Sequence, residues 1–221
     1  MAKKKNNKES GTTGEQENVN TIPCPSKREV EEHLKTWNKN EKFHVPERAL
    51  INLFEKYPKN ESLEEILIKI YALNDAYRAG VYWPIDIAKN ILEMQIDDDL
   101  SRGEHNVVTK IARRKGKERF VFHTNNGTII RKELYSFATK YCSFHEPDKY
   151  PLFDLNVRNA LIYFKQNCEN FIFNNTDLTK YNKFFGIVQK FQETFQLQDF
   201  SFRDIDKYLY LAGRKLNMAT T

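Results

Sequence analysis

Two prolines and an aspartate in the stretch Tyr135–Arg158, YSFATKYCSFHEPDKYPLFDLNVR, constrain the fold of this 221-residue chain more than any other feature. Upstream of the prolines, Leu134, Phe137, Ala138, Tyr141 and Cys142 recur at helical spacing and predict an amphipathic helix facing a core. Pro147 and Pro151 cannot continue that helix and force an ordered turn. Asp154 then precedes a new apolar period, Val157, Leu161 and Phe164, which sets it at a helix N-terminus beside the positive end of the helix dipole. An amine (Lys140), an imidazole (His145) and a carboxylate (Asp154) therefore lie close together in sequence. Each has a plain structural reading as well. Asp154 is an N-cap, His145 a hydrogen-bonded turn residue, and Lys140 a solvated or snorkelling lysine.

The rest of the chain reads as further helices. Ser26-Lys27-Arg28-Glu29 and Ser62-Leu63-Glu64-Glu65 are capping boxes, and Pro46 suits the first position of another helix. Trp83 and Tyr82 precede a helix opening at Pro84. Asp97-Asp98-Asp99 lacks the spacing of a calcium loop and reads as acidic charge at the start of a helix that carries Val107, Val108, Ile111 and Ala112. Ser201 caps a closing helix with Ile205, Leu209 and Leu211 inward, and Asp204, Asp206 and Lys207 outward. FVFHTNNGTII is either a β-hairpin turning at Asn126-Gly127 or an extended loop. The expected fold is all-α: residues 1–22 a disordered polar tail, and 23–218 one multi-helix domain with a cleft, or two helical lobes sharing an interface.

Composition sets outer limits. With 40% hydrophobic and 13% aromatic residues, the chain can bury a substantial core, and no run of eighteen apolar residues suggests a membrane span. The N-terminal stretch has Lys3, Lys4 and Lys5 but no apolar segment of the signal-peptide kind. Cys24, Cys142 and Cys168 are odd in number and far apart, without CxxC or histidine pairs, so a reduced, cytoplasmic protein without a zinc site is expected. Net charge is +5, compatible with a polyanionic partner. The densest basic run is Lys110, Arg113, Arg114, Lys115, Lys117 and Arg119, which reads either as a solvated loop or as a phosphate-backbone contact.

A helix, a proline-interrupted turn and an aspartate opening the next helix resemble the active-site segment of the helix-hairpin-helix DNA glycosylase superfamily. Ile70–Leu92 is similar to that family's early helix pair, and Phe200–Leu216 to a closing helix. The resemblance implies an all-helical fold with a cleft, and Asp154 as the carboxylate that stabilises charge on the sugar. In some branches of that family a lysine also attacks the sugar carbon, and Lys140 and Lys132 are the candidates for it, Lys132 being placed earlier on the same helix. Asn74, with Tyr82 or Trp83, would face a flipped nucleotide. Arg113, Arg114, Lys115, Lys117, Gly127 and His145 would meet nucleic acid. Only Gly127 is present where spaced hairpin glycines would hold a phosphate.

Three functions follow as expectations. The first is a protein that binds double-stranded DNA and excises a base through Asp154, without metal or small-molecule cofactor. The second is a nucleic-acid binder that lacks the chemistry. The third is a helical protein-interaction module.

Overall fold

In the computed structural model, residues 22–124 and 126–218 are described, and they form ten α-helices and one two-stranded antiparallel sheet. Residues 1–21 of the expected polar tail, with its lysines, lie outside the described residues; Ile22, expected to end that tail, is instead buried and bonded through its backbone to the Tyr163 hydroxyl. The fold is all-α, and all of its buried apolar side chains among the described residues except Trp37 and Leu152 form one continuous cluster.

Local signals explain most helix starts. Ser26 caps α1 (Lys27–Lys39) by accepting from the N–H of Glu29 at 3.2 Å. Ser62 caps α3 (Leu63–Tyr77) by accepting from Glu65 at 3.3 Å. Between them, α2 (Glu41–Lys56) starts earlier than Pro46 predicts, because Asn40 supplies the cap by accepting from Lys42 at 3.0 Å. Pro46 thus lies in the second turn of α2, where its missing N–H deprives the Lys42 carbonyl of its helical donor. Arg78, in the left-handed region at φ 46°, closes α3.

The helix expected across Asp97–Ala112 is two, α5 (Asp97–Arg102) and α6 (Asn106–Ala112), divided by Gly103 at φ +75°. Trp83 adjoins α4 (Pro84–Met94) and stacks on Phe122, centroids 3.8 Å apart. That ring belongs to the hairpin: β1 (Phe120–His123) pairs with β2 (Ile129–Lys132) in the register Phe120↔Lys132 to His123↔Ile129. The hairpin reading of FVFHTNNGTII therefore holds.

The central helix is α7 (Tyr135–His145), packed between α2, α3 and α6. Every residue from Phe137 to Phe144 is buried, so α7 is a core helix and not the amphipathic one expected. Asp154 caps α8 (Leu155–Asn167), accepting from Val157 at 2.8 Å. A 3₁₀ turn at Asn175–Thr179 leads to α9 (Tyr181–Thr194). Ser201 and Asp204 form a capping box at the start of α10 (Phe202–Met218), which packs along α8 and α1.

Two expectations about side chains are corrected here. Cys24 and Cys168 form a disulfide across 144 positions, so the reduced-thiol reading fails for this pair; Cys142 is the free, buried thiol. Asp206 and Lys207 do not point outward: Asp206 is buried and Lys207 pairs with the buried Glu47. No helix among the described residues is long and apolar enough to cross a membrane.

Candidate functional site

Phe153 is laced onto α7 by three side chains, which seats Asp154 against that helix. The Thr139 hydroxyl accepts from the Phe153 N–H at 3.1 Å, the Ser136 hydroxyl donates to the Phe153 carbonyl at 3.0 Å, and the Lys140 amine donates to the same carbonyl at 3.3 Å. Lys140 also donates to the Ser136 Oγ at 2.6 Å and lies 5.6 Å from the Tyr77 ring centroid. It is only 2% exposed, because α7 has no solvent face along which a lysine could snorkel. Burial pushes its amine down to about 8, against the opposing charge of Asp154.

Lys140, Asp154 and Ser136 together line a cleft of about 600 Å³. Its far wall is aromatic: Trp37 stacks on Phe43 at 5.0 Å, and Tyr210 meets both edge-on. Lys42, Arg78 and Arg214 stand exposed around it, with Arg214 5.2 Å over the Phe43 ring. The cleft therefore combines a flat aromatic surface, a cationic rim and a desolvated amine next to a carboxylate. The Asp154 Oδ1 serves as the helix cap, and its second oxygen carries no hydrogen bond among the described residues.

Beneath Trp37 lies an ion cluster. Glu47 accepts from the Trp37 Nε1 at 2.8 Å and pairs with Lys207 at 3.1 Å and Arg203 at 3.6 Å. Asp206 lies in the same region but is held differently, accepting from the Leu152 N–H at 2.9 Å through Oδ2.

The other residues singled out from the sequence lie elsewhere. Lys132 is on β2, not on a helix shared with Lys140; its amine donates to the Gly80 carbonyl at 2.7 Å and rests over Tyr82, outside the Asp154 cleft. Asn74 holds the turn after α3, donating to the Val81 carbonyl at 3.1 Å and accepting from its N–H at 2.9 Å. Arg113 is bound to Glu133 (3.0 Å) and Lys115 to Glu93 (3.4 Å), while Arg114 and Lys117 are exposed in the turn before the hairpin. Gly127, at φ +80°, turns the hairpin and joins no helix pair.

His145 ends α7 with its Nε2 3.3 Å from the buried Lys69 amine; burial and that neighbouring charge hold the imidazole well below its usual range. It lines a separate cleft with Phe54, Pro58 and Arg203. No group of three or more metal-ligating side chains exists among the described residues.

Sequence reasoning missed Trp37, Phe43, Glu47, Asp206 and Tyr210. One signal was present for Asp206: it shares a helical phase with Phe202, Leu209 and Gly213, an apolar face of α10.

The family HI_0787_N, an N-terminal domain, matches residues 29–149, more than half of the chain. The chain belongs to this family. An uncharacterized protein of Haemophilus influenzae is 30% identical over 157 residues, which is 70% of this chain and 69% of that protein. No solved structure matches the chain. The matched HI_0787_N segment includes Trp37, Tyr77 and Lys140, whereas Asp154, Asp206 and Tyr210 follow it. The cleft is therefore built from the family segment and from the helices that pack against it.

Proposed function

We propose that this protein binds double-stranded DNA and removes a base from it, with Lys140 and Asp154 as the reacting groups. The observation that carries this reading is the desolvated Lys140 amine in the wall of a cleft that also holds the Asp154 carboxylate. An amine that titrates at about 8 is a free base in about one molecule in ten at pH 7, far more often than an ordinary lysine, and so is available as a nucleophile.

A nucleotide turned out of the duplex would lay its base against Trp37, Phe43 and Tyr210, while Lys42, Arg78 and Arg214 meet the phosphates on either side. The Lys140 lone pair attacks C1′ of the sugar as the C1′–N bond breaks, and the bonding pair leaves with the base. The departing base takes one amine proton; the nitrogen pair then forms the C1′=N bond as the C1′–O4′ bond breaks toward O4′, which takes the other amine proton and leaves the imine. The Asp154 carboxylate stabilises the positive charge that develops on the sugar during this exchange.

The reading is tested by base release from a panel of lesion-containing duplexes, with borohydride trapping of any imine. Wild type is expected to release base and to be trapped, Asp154→Asn to lose release, Lys140→Gln to lose trapping, and Lys132→Gln to keep both. Salt-sensitive binding without release would leave a DNA-binding scaffold and refute excision. No binding at low salt would refute both nucleic-acid readings in favour of a protein-interaction module.

A further inference from the structure

Below the cleft is a small cavity of about 20 Å³, lined by Asp154, Asp206, Tyr77 and Leu152 among others. Its volume suits one water and no more. Asp206 Oδ1 is buried there without a hydrogen-bond partner. Its other oxygen is committed to the Leu152 N–H.

Two observations bear on the charge of this carboxyl. The cations on its own helix, Arg203 and Lys207, are turned to Glu47 of α2 and form no ion pair with Asp206. Facing it from other elements are the carboxylates of Asp154 and Glu47, the amine of Lys140, and the phenols of Tyr77 and Tyr181, which burial holds neutral; Arg203 and Lys140 favour its ionised form, and burial opposes it more strongly. A buried carboxylate oxygen with no partner is costly, and two neighbouring carboxyls resist ionising together. Burial accordingly raises Asp206 well above the usual carboxylate range.

We propose that Asp206 keeps a proton on Oδ1 and, through one water in this cavity, donates to the second oxygen of Asp154, leaving Asp154 the single ionised carboxylate beside Lys140. Asp206 is then a positioning residue. Its hydrogen orients Asp154 toward the cleft, and its neutrality keeps the Lys140 amine from being re-protonated by a second nearby anion. The proposal takes Lys140 and Asp154 as the reactive pair, as the excision reading does. Its readouts are independent of any reaction, so a failed excision assay leaves it standing.

Infrared spectroscopy of the full chain near neutral pH should show a deuterium-sensitive carbonyl stretch of a protonated carboxylic acid. Asp206→Asn, which keeps the shape and a neutral donor, should abolish it. Reductive methylation with labelled formaldehyde, read at Lys140 across pH, gives the amine's titration midpoint. Asp206→Asn should leave that midpoint unchanged, since one neutral group replaces another. A midpoint lowered by about one pH unit or more would mean that an ionised Asp206 had been raising it, and would overturn the proposal. Absence of the carbonyl band in wild type would overturn it without any variant, and so would a band that survives Asp206→Asn.

Discussion

The Lys140 amine donates to the carbonyl of Phe153, the residue immediately before the helix cap Asp154. This contact joins the core helix α7 to the start of α8, so one short link sets the positions of both Lys140 and Asp154. Ser136 and Thr139 share the link, which makes the position of Asp154 a property of α7 and not only of the loop.

Replacing Lys140 by Met should stabilise the protein near neutral pH, by about 3 kcal/mol at most. The folded amine titrates at about 8 and the unfolded one near 10.5, so the unfolded chain binds more protons between these values and wild-type stability rises with pH across that window. The advantage of Lys140→Met should therefore be full below about pH 8 and fade toward pH 10.5. Urea denaturation of both proteins at pH 7 and pH 10 measures it; an equal difference at the two values would contradict a desolvated amine.

Imine formation should follow the same group. Borohydride trapping at saturating duplex should rise through about pH 8 as Lys140 loses its proton, in the direction set by its burial. A trapping yield that falls over this range would assign the nucleophile elsewhere.

Substitutions at Asp154 should separate capping from chemistry. Asn caps a helix about as well as Asp, so Asp154→Asn should leave stability nearly unchanged, whereas Asp154→Ala should lose about 1 kcal/mol. Base release should be lost in both. Thermal melts alongside the release assay decide the matter, and a release rate that tracks stability alone would reduce Asp154 to a cap.

Gly213 of α10 packs directly on α8. A Cβ there would come within 2.0 Å of the Asn156 carbonyl oxygen, a backbone atom that no rotamer change can move. Gly213→Ala should cost about 3 kcal/mol or more and lower Tm accordingly, since the two helices must separate. Asn156 lines the cleft, so the same variant should also weaken ligand binding at temperatures where it stays folded.

The cysteine pair gives a second stability test. Cys24→Ser, or reduction, should cost about 2–4 kcal/mol, because the bond closes a loop of 144 residues and holds the first described residues against α8. The unfolding midpoint with and without reductant reads this out.

What could be read from the sequence was what short-range physics sets. Ser26, Ser62, Asp154 and Ser201 mark helix starts because a cap needs only a side-chain oxygen and an N–H two or three residues on. Pro46 misled because Asn40, six residues earlier, offered a competing cap that sequence inspection did not weigh. Lys132 misled because the hairpin ends just before α7, so a residue near in sequence lies on a different element.

The sequence by itself determined that the chain is all-α, where most of its helices begin, and that Asp154 opens one of them. Tertiary structure decided everything that depends on which faces meet. Lys140 became a buried amine only because α2, α3 and α6 pack around α7, and Asp206 turned inward because its phase on α10 faces α8 and the cleft. Cys24 found Cys168, and Trp37 found Glu47 and Tyr210, through packing across the fold. Desolvation is a property of surroundings and not of residue type, so the groups whose charge is most altered here could be recognised only once those surroundings were in place.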